Sequence, residues 1–431
     1  LGHRLEGSPL ASRLARGSFW SLAGSVISRV LGLASAILAA RIIGKASYGQ
    51  LGVVQSTVAM FAAFAGFGMG TTATKFVAEF RATNPGKAGR IIALSSVISW
   101  SVSGLLAVVL LFAAPWMCSR VLAAPQMTGC LRVSALLLLL SGVNGAQNGA
   151  LCGFEAFKRM AAVNLIAGVL NFPLVITGAM FFGLSGVVWG MVFAQAAGCL
   201  LNYQALRSEA ARHNVPMGYS SWTSEAPVIW RFSLPATLGG LMISPVSWAC
   251  AALLVRQPHG FDHMGAFNAA NQWFGALMWL PYMLGSVLLP MLAEQFSARD
   301  KARSGKLLVA SVKINAGVTF PLVLGGCLLS PYIMMAYGKG FGHEWPTLVV
   351  TLLTAGLLAV EVPVGEVIAA SGRMWVGFFM NLGWSLAALT ATWLLLPWGA
   401  TGFASARLLA YAVHAIWTFA YATRIIRQSN E

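Results

Sequence analysis

The feature that most limits what this chain can fold into is a succession of apolar stretches, each about as long as a bilayer is thick. From Phe19 to Ile43 the run is broken only by Arg29 near its middle and Arg41 near its end. At 1.5 Å of rise per residue, about 20 apolar residues cross the hydrocarbon core. Eleven comparable stretches follow: 48–70, 91–113, 131–153, 160–182, 184–206, 232–254, 264–289, 307–329, 346–370, 373–396 and 400–424. The longest interval between them, 207–231, leaves no room for a soluble catalytic domain. Composition agrees, with 58% hydrophobic residues, 9% charged residues and a mean hydropathy of +0.73. The expected fold is an all-α polytopic membrane protein of about twelve transmembrane helices.

Residues 1–18 carry Arg4, Arg13 and Arg16 ahead of an apolar run, as a signal peptide would. The run is too long for one and offers no clear cleavage site before Arg41, so it is expected to remain as a membrane helix. An even number of spans places both termini on one side. The N-terminal segment and even-numbered links hold roughly three times as many Lys and Arg residues as the odd-numbered links. By the positive-inside rule, both termini are expected in the cytoplasm. The net charge of +16 is accounted for by this bias, and no soluble basic or aromatic-basic module points to nucleic acid. The six cysteines are scattered, with no CxxC pair and no His/Cys cluster at ligand spacing, so neither metal nor cofactor is expected.

The chain repeats itself at an offset near 216. Tyr48-Gly49-Gln50-Leu51 is answered by Met264-Gly265-Ala266-Phe267, Gly89-Arg90 by Gly305-Lys306, and Ala114-Pro115-Trp116 by Ser330-Pro331-Tyr332. Glu79 in its FVAEF context is answered by Glu294, Arg159-Met160 by Arg373-Met374, and Gly183-Leu-Ser-Gly186 by Gly399-Ala-Thr-Gly402. The reading is a tandem duplication: an N-terminal six-helix lobe (1–206), a cytoplasmic linker (207–231) and a C-terminal six-helix lobe (232–431). Because each unit has an even number of spans, the lobes should be related by a pseudo-twofold along the membrane normal, as in transporters that rock about a site between repeats. The link after the second span of each unit (75–90 and 290–306) is expected to form a short amphipathic surface segment.

Several segments carry a likeness to a known family: LAARIIGKASYGQLGVVQS (38–56), GFGMGTTATKFVAEF (66–80), LCGFEAFKRMAAVNLIAGVLN (151–171), GLSGVVWG (183–190) and SPYIMMAYGKGF (330–341). With these the chain resembles the Wzx-type polysaccharide flippases of the multidrug/oligosaccharidyl-lipid/polysaccharide (MOP) exporter superfamily. Ser28-Arg29-Val30-Leu31-Gly32 also looks like the first helix of the related lipid II flippases. The resemblance implies movement of an undecaprenyl-pyrophosphate-linked oligosaccharide from the cytoplasmic to the periplasmic leaflet of the bacterial inner membrane. Membrane lipid and a polyprenyl-pyrophosphate-linked glycan would be its partners, with a polysaccharide polymerase and export proteins as further candidates. The implied protein is a transporter, not an enzyme. An ion-coupled multidrug exporter or lipid II flippase of the same superfamily stays open, as does a membrane-embedded glycan polymerase or ligase, although short periplasmic links and the repeat disfavour the last.

Charged and amide side chains inside apolar spans are the candidate site residues, since ionised groups there are costly and usually face protein or water. Arg29 could bind a lipid pyrophosphate bidentately or bond helix-end carbonyls. Lys313 and Arg407 could complete a cationic cavity or snorkel to an interface. Glu361 and Glu366 flank Pro363; Glu361 could pair with Arg29, Lys313 or Arg407, or take part in coupling, and Glu366 could be interfacial. Asn144, Gln147 and Asn148 on the fourth span and Asn268, Asn271 and Gln272 on the eighth could contact sugar hydroxyls or bond between helices. Gly145, Gly149 and Gly153 form a small-residue seam. Prolines 235, 245, 281, 321 and 363 concentrate in spans seven to ten, which predicts that the C-terminal half does more of the bending. No GxxxxGK[ST] loop is present, so no P-loop ATP hydrolysis is expected.

Overall fold

The computed structural model describes residues 9–66, 68–218, 221–229, 233, 241–297, 301–370 and 374–427. Among these residues there is no strand. The helices are α1 (Pro9–Ile43), α2 (Lys45–Ala65), α3 (Met69–Phe80), α4 (Pro85–Trp116), α5 (Thr128–Gly153) and α6 (Phe157–Arg212), followed by α7 (Ile243–Val255), α8 (Gly260–Ser297), α9 (Lys301–Ala336), α10 (Trp345–Ala370), α11 (Met374–Leu395) and α12 (Gly399–Arg427). Seven helical stretches are long and apolar enough to cross a membrane, or eight if the bent pair α2 and α3 counts as one span. The protein is an all-helical polytopic membrane protein.

Two of the seven stretches, 56 and 51 residues long, are more than twice what one crossing requires. Each is broken at a glycine. Gly183 has φ 57° and ψ −136°, and Gly399 has φ 60° and the same ψ. A Cβ is strongly disfavoured there, so only glycine turns the chain without strain. The two glycines are 216 residues apart, and the helix starts repeat at 216 or 217: α4 and α9 start at Pro85 and Lys301, α5 and α10 at Thr128 and Trp345, and α6 and α11 at Phe157 and Met374. The sequence repeat is therefore a repeat of backbone geometry.

The chain forms two compact units, 1–42 with 57–241 and 43–56 with 242–431. These bounds depart from the expected lobes in two places. The first half of α2 belongs to the second unit, because Tyr48 packs its ring against Tyr337 and Phe341 at centroid distances of 6.2 and 6.3 Å. The segment 207–231 is also more than a linker. Its start continues α6, Glu225 is buried and paired with Arg90 at 2.9 Å, and beyond it Ser233 meets Thr72 at 2.7 Å. The link is thereby tied into the first unit. Span seven was expected at 232–254; residues 234–240, including Pro235, lie outside those described, and α7 covers the remainder from Ile243.

In the first unit, α3, α4, α5 and α6 pack around Val77, Ile91, Leu151, Phe154 and Leu206. The amphipathic segment expected at 75–90 is α3, which starts earlier. It buries Met69, Thr72, Ala73 and Val77 and exposes Thr71, Lys75, Ala78 and Glu79. The α5 seam receives α3 along its length: a Cβ on Gly149 would lie 2.1 Å from Gly70 O, one on Gly153 2.7 Å from Val77, and one on Gly70 of α3 3.0 Å from Gly145 O.

In the second unit, α10 packs against α8, α9 and α12. The starts of α2 and α8 cross at the repeated glycines. A Cβ on Gly49 would lie 1.8 Å from Phe261 O, and one on Gly265 2.2 Å from Lys45 O. Close backbone approach is what that pair of motifs serves. Lys45 also reaches Glu344 at 2.7 Å, which with Tyr48 against Tyr337 and Phe341 ties the start of α2 to the end of α9 and the link that follows it. The prolines remain unequally divided: Pro115 and Pro173 lie inside α4 and α6, whereas α7 contains Pro245, α8 Pro281, α9 Pro321 and Pro331, and α10 Pro363.

Candidate functional site

On α12, residues 407, 411, 414 and 418 recur at helical spacing, so Arg407, Tyr411, His414 and Thr418 share one face. On α8, Asn271, Phe274 and Tyr282 recur likewise. These stripes and Glu361 of α10 form the densest polar cluster among the described spans of the second unit. Arg407 donates from Nη1 to Asn271 Oδ1 at 2.7 Å. Its guanidinium carbon lies 3.9 Å from the Phe274 ring centroid and 5.9 Å from those of Phe267 and Tyr411. A cation over an aromatic face is held by the ring quadrupole while the rest of its fork stays able to donate. Arg407 is thus fixed inside the bundle rather than extended to an interface.

Glu361 is 5% exposed, and its Oε1 is in hydrogen-bond contact with Nδ1 of His414. This corrects the expected pairing with Arg29, Lys313 or Arg407: His414, two turns along α12 from Arg407, is the residue that meets α10 at that level. Thr418 adds a contact to the same imidazole nitrogen at 3.4 Å and donates to the His414 carbonyl at 2.7 Å. The second carboxylate oxygen of Glu361 is buried without a hydrogen-bond partner among the described residues. Tyr282 and Tyr411 each lie within electrostatic range of both Arg407 and Glu361. The arrangement can present a guanidinium and a phenol to an anion, beside a buried imidazole–carboxylate contact.

The remaining candidates are dispersed. Glu366 is partly buried, with Oε1 3.3 Å from where a Cβ on Gly285 would sit, so it packs on α8. Lys313 is exposed on α9 beside Ile314, and among the described residues it forms no ion pair; its buried neighbour Asn315 donates to Ala359 O at 3.0 Å. Arg29 is exposed on α1 with Val26, Ile27 and Val30. Asn268 is buried and donates to Tyr48 O at 3.4 Å, the interhelical role. Gln272 is partly buried about 100° around α8 from Asn271. In the first unit, Asn144 Oδ1 accepts from Asn148 at 3.3 Å and from Asn202 of α6 at 2.5 Å. Gln147 lines a mostly apolar cavity of about 490 Å³ between α4, α5 and α6.

Residues 14–296 match the family described as polysaccharide biosynthesis protein, which is more than half of the chain. The chain belongs to the polysaccharide biosynthesis protein family. Among its relatives is the EPS I polysaccharide export inner membrane protein EpsE of Ralstonia solanacearum, 25% identical over 304 residues, with 66% of each protein covered. The Lipid III flippase of Escherichia coli K12 is 22% identical over 294 residues, covering 67% of this chain and 70% of that protein. The chain spans about two thirds of the length of the curated relatives it matches. Solved structures share its fold, and two illustrate the likeness. One is the inward-facing conformation of a multidrug resistance MATE family transporter of the MOP superfamily (TM-score 0.75, 14% identity, 94% and 95% coverage). The other is the lipid II flippase MurJ, inward closed (TM-score 0.72, 12% identity, 94% and 87% coverage).

In this family member, His414, Tyr282, Tyr411 and Asn202 were missed by sequence reading. Histidine and tyrosine inside an apolar run draw less notice than a formal charge. The available signal was spacing: Arg407, Tyr411 and His414 stand at i, i+4 and i+7.

Proposed function

We propose that this protein is an inner-membrane flippase that moves an undecaprenyl-pyrophosphate-linked oligosaccharide from the cytoplasmic to the periplasmic leaflet by alternating access, for surface polysaccharide biosynthesis. It acts as a transporter rather than an enzyme. The observation that carries the reading is Arg407, a guanidinium held within the spans by Asn271 and Phe274. A permanently charged donor fork is suited to a pyrophosphate, and membership of the polysaccharide biosynthesis family supports the glycan part. In this reading twelve spans form two six-helix lobes with both termini cytoplasmic. Arg29 and Lys313 provide further cationic positions, and the amides of Asn144, Gln147, Asn148, Asn271 and Gln272 are available to sugar hydroxyls. A deletion strain should lose surface polysaccharide and accumulate the lipid-linked repeat unit at the cytoplasmic face; normal export in that strain would refute the proposal.

A second reading is an ion-coupled exporter of small organic substrates, favoured by the buried contact between Glu361 and His414. Drug resistance that is conferred by the wild type and lost in Glu361→Gln, with polysaccharide unchanged, would select it.

A further inference from the structure

Away from the spans, the first unit holds a second cavity of about 500 Å³, most of whose lining residues are charged. Three segments meet in its wall: the end of α3 (Arg81), the α5–α6 link with the start of α6 (Glu155, Lys158, Arg159) and the end of α6 (Glu209, Arg212). The turn at Gly183 sends α6 back on itself, which is how Lys158 at its start and Arg212 at its end come to line one cavity. Two ion pairs fix the carboxylates. Arg81 meets Glu155 at 2.6 Å and also donates to Gly153 O at 3.1 Å, and Arg159 meets Glu209 at 2.7 Å. The imidazole of His213, ring-packed on Phe154, is 3.8 Å from the same Glu209. Lys158 and Arg212 are exposed and form no ion pair among the described residues.

The wall therefore carries two cations beyond what its carboxylates offset. It lies at helix ends, the depth at which lipid headgroups surround a membrane protein. Phe157, which precedes Lys158 in the chain, is 56% exposed and offers an acyl chain an apolar surface. We propose that this cavity binds the phosphate of an anionic membrane phospholipid, with Lys158 and Arg212 as its donors, and Arg81 and Arg159 held in place by their carboxylates. The segment 151–171, which carries part of the family likeness, would thereby serve as a headgroup clamp. Its volume falls in the range of sites that enclose small molecules.

The test uses the full chain in detergent and native mass spectrometry, with phosphatidylglycerol, phosphatidylcholine or inorganic pyrophosphate added separately. The wild type should retain phosphatidylglycerol over phosphatidylcholine. Lys158→Ala/Arg212→Ala should hold phosphatidylglycerol roughly tenfold more weakly, the effect of losing charge-assisted hydrogen bonds, and Lys158→Arg/Arg212→Lys should retain it. Equal retention of the two lipids by the wild type, or of phosphatidylglycerol by the wild type and the alanine pair, would overturn the proposal. Tighter binding of pyrophosphate than of phosphatidylglycerol would assign the site to a soluble phosphate and overturn the lipid assignment. Melting is followed in parallel; should the double variant not fold, the single exposed substitutions Lys158→Ala and Arg212→Ala decide the same comparison.

Discussion

Arg407 and His414 sit two turns apart on one helix and do different work. Arg407 is permanently charged and already satisfied on one side by Asn271, which leaves donors for a substrate anion. Arg407→Ala should lower export by at least tenfold, measured as accumulated lipid-linked repeat unit, whereas Asn271→Ala, which frees the fork without removing it, should cost less. His414 instead answers a carboxylate that is 5% exposed. Removing one partner of a buried pair leaves the other uncompensated, so His414→Ala should destabilise the protein by about 3 kcal/mol in a detergent melt. His414→Ala/Glu361→Gln should recover part of that loss. Formal charge made Arg407 and Glu361 legible in the sequence. Asn271, the partner of Arg407, was legible as an amide within a span, but His414 was not, because the chain order gives no sign that α12 turns it toward α10, and an imidazole in an apolar helix reads as ordinary core.

Among the elements, the two glycine breaks in the long helical stretches are the clearest products of the repeat. Gly183 and Gly399 adopt the same conformation but have different surroundings. Nothing lies within 4 Å of a Cβ on Gly183, while one on Gly399 would lie 2.5 Å from the His263 ring. Gly183→Ala should therefore cost only the backbone strain, about 1 to 3 kcal/mol, and Gly399→Ala visibly more in the same melt. Wild-type stability in both would contradict this account. Repeats and apolar run lengths exposed the helices to sequence reading because both are properties of the chain itself. The extra reach of α4 over Pro115, the early start of α3 and the docking of 221–229 were hidden, since each depends on contacts made across the fold.

At the scale of the whole molecule, the sequence repeat falls at equal intervals, whereas the packing divides the chain unequally. Residues 43–56 precede most of the first unit but pack with the second. Cutting the gene into 1–206 and 207–431 should consequently yield a C-terminal fragment that melts well below the intact protein, because it lacks Tyr48 against Tyr337 and Phe341 and Lys45 against Glu344. Moving the cut so that a copy of 43–56 is restored to that fragment should raise its melting temperature; no rise would contradict the packing.

The same feature has a cost during synthesis. Tyr48 emerges from the ribosome 289 residues ahead of Tyr337. At a translation rate of 5–20 residues per second, that separation is roughly 15 to 60 seconds. For that interval the first half of α2 exists without the aromatic residues that bury Tyr48, so its synthesis and its final packing are separate events.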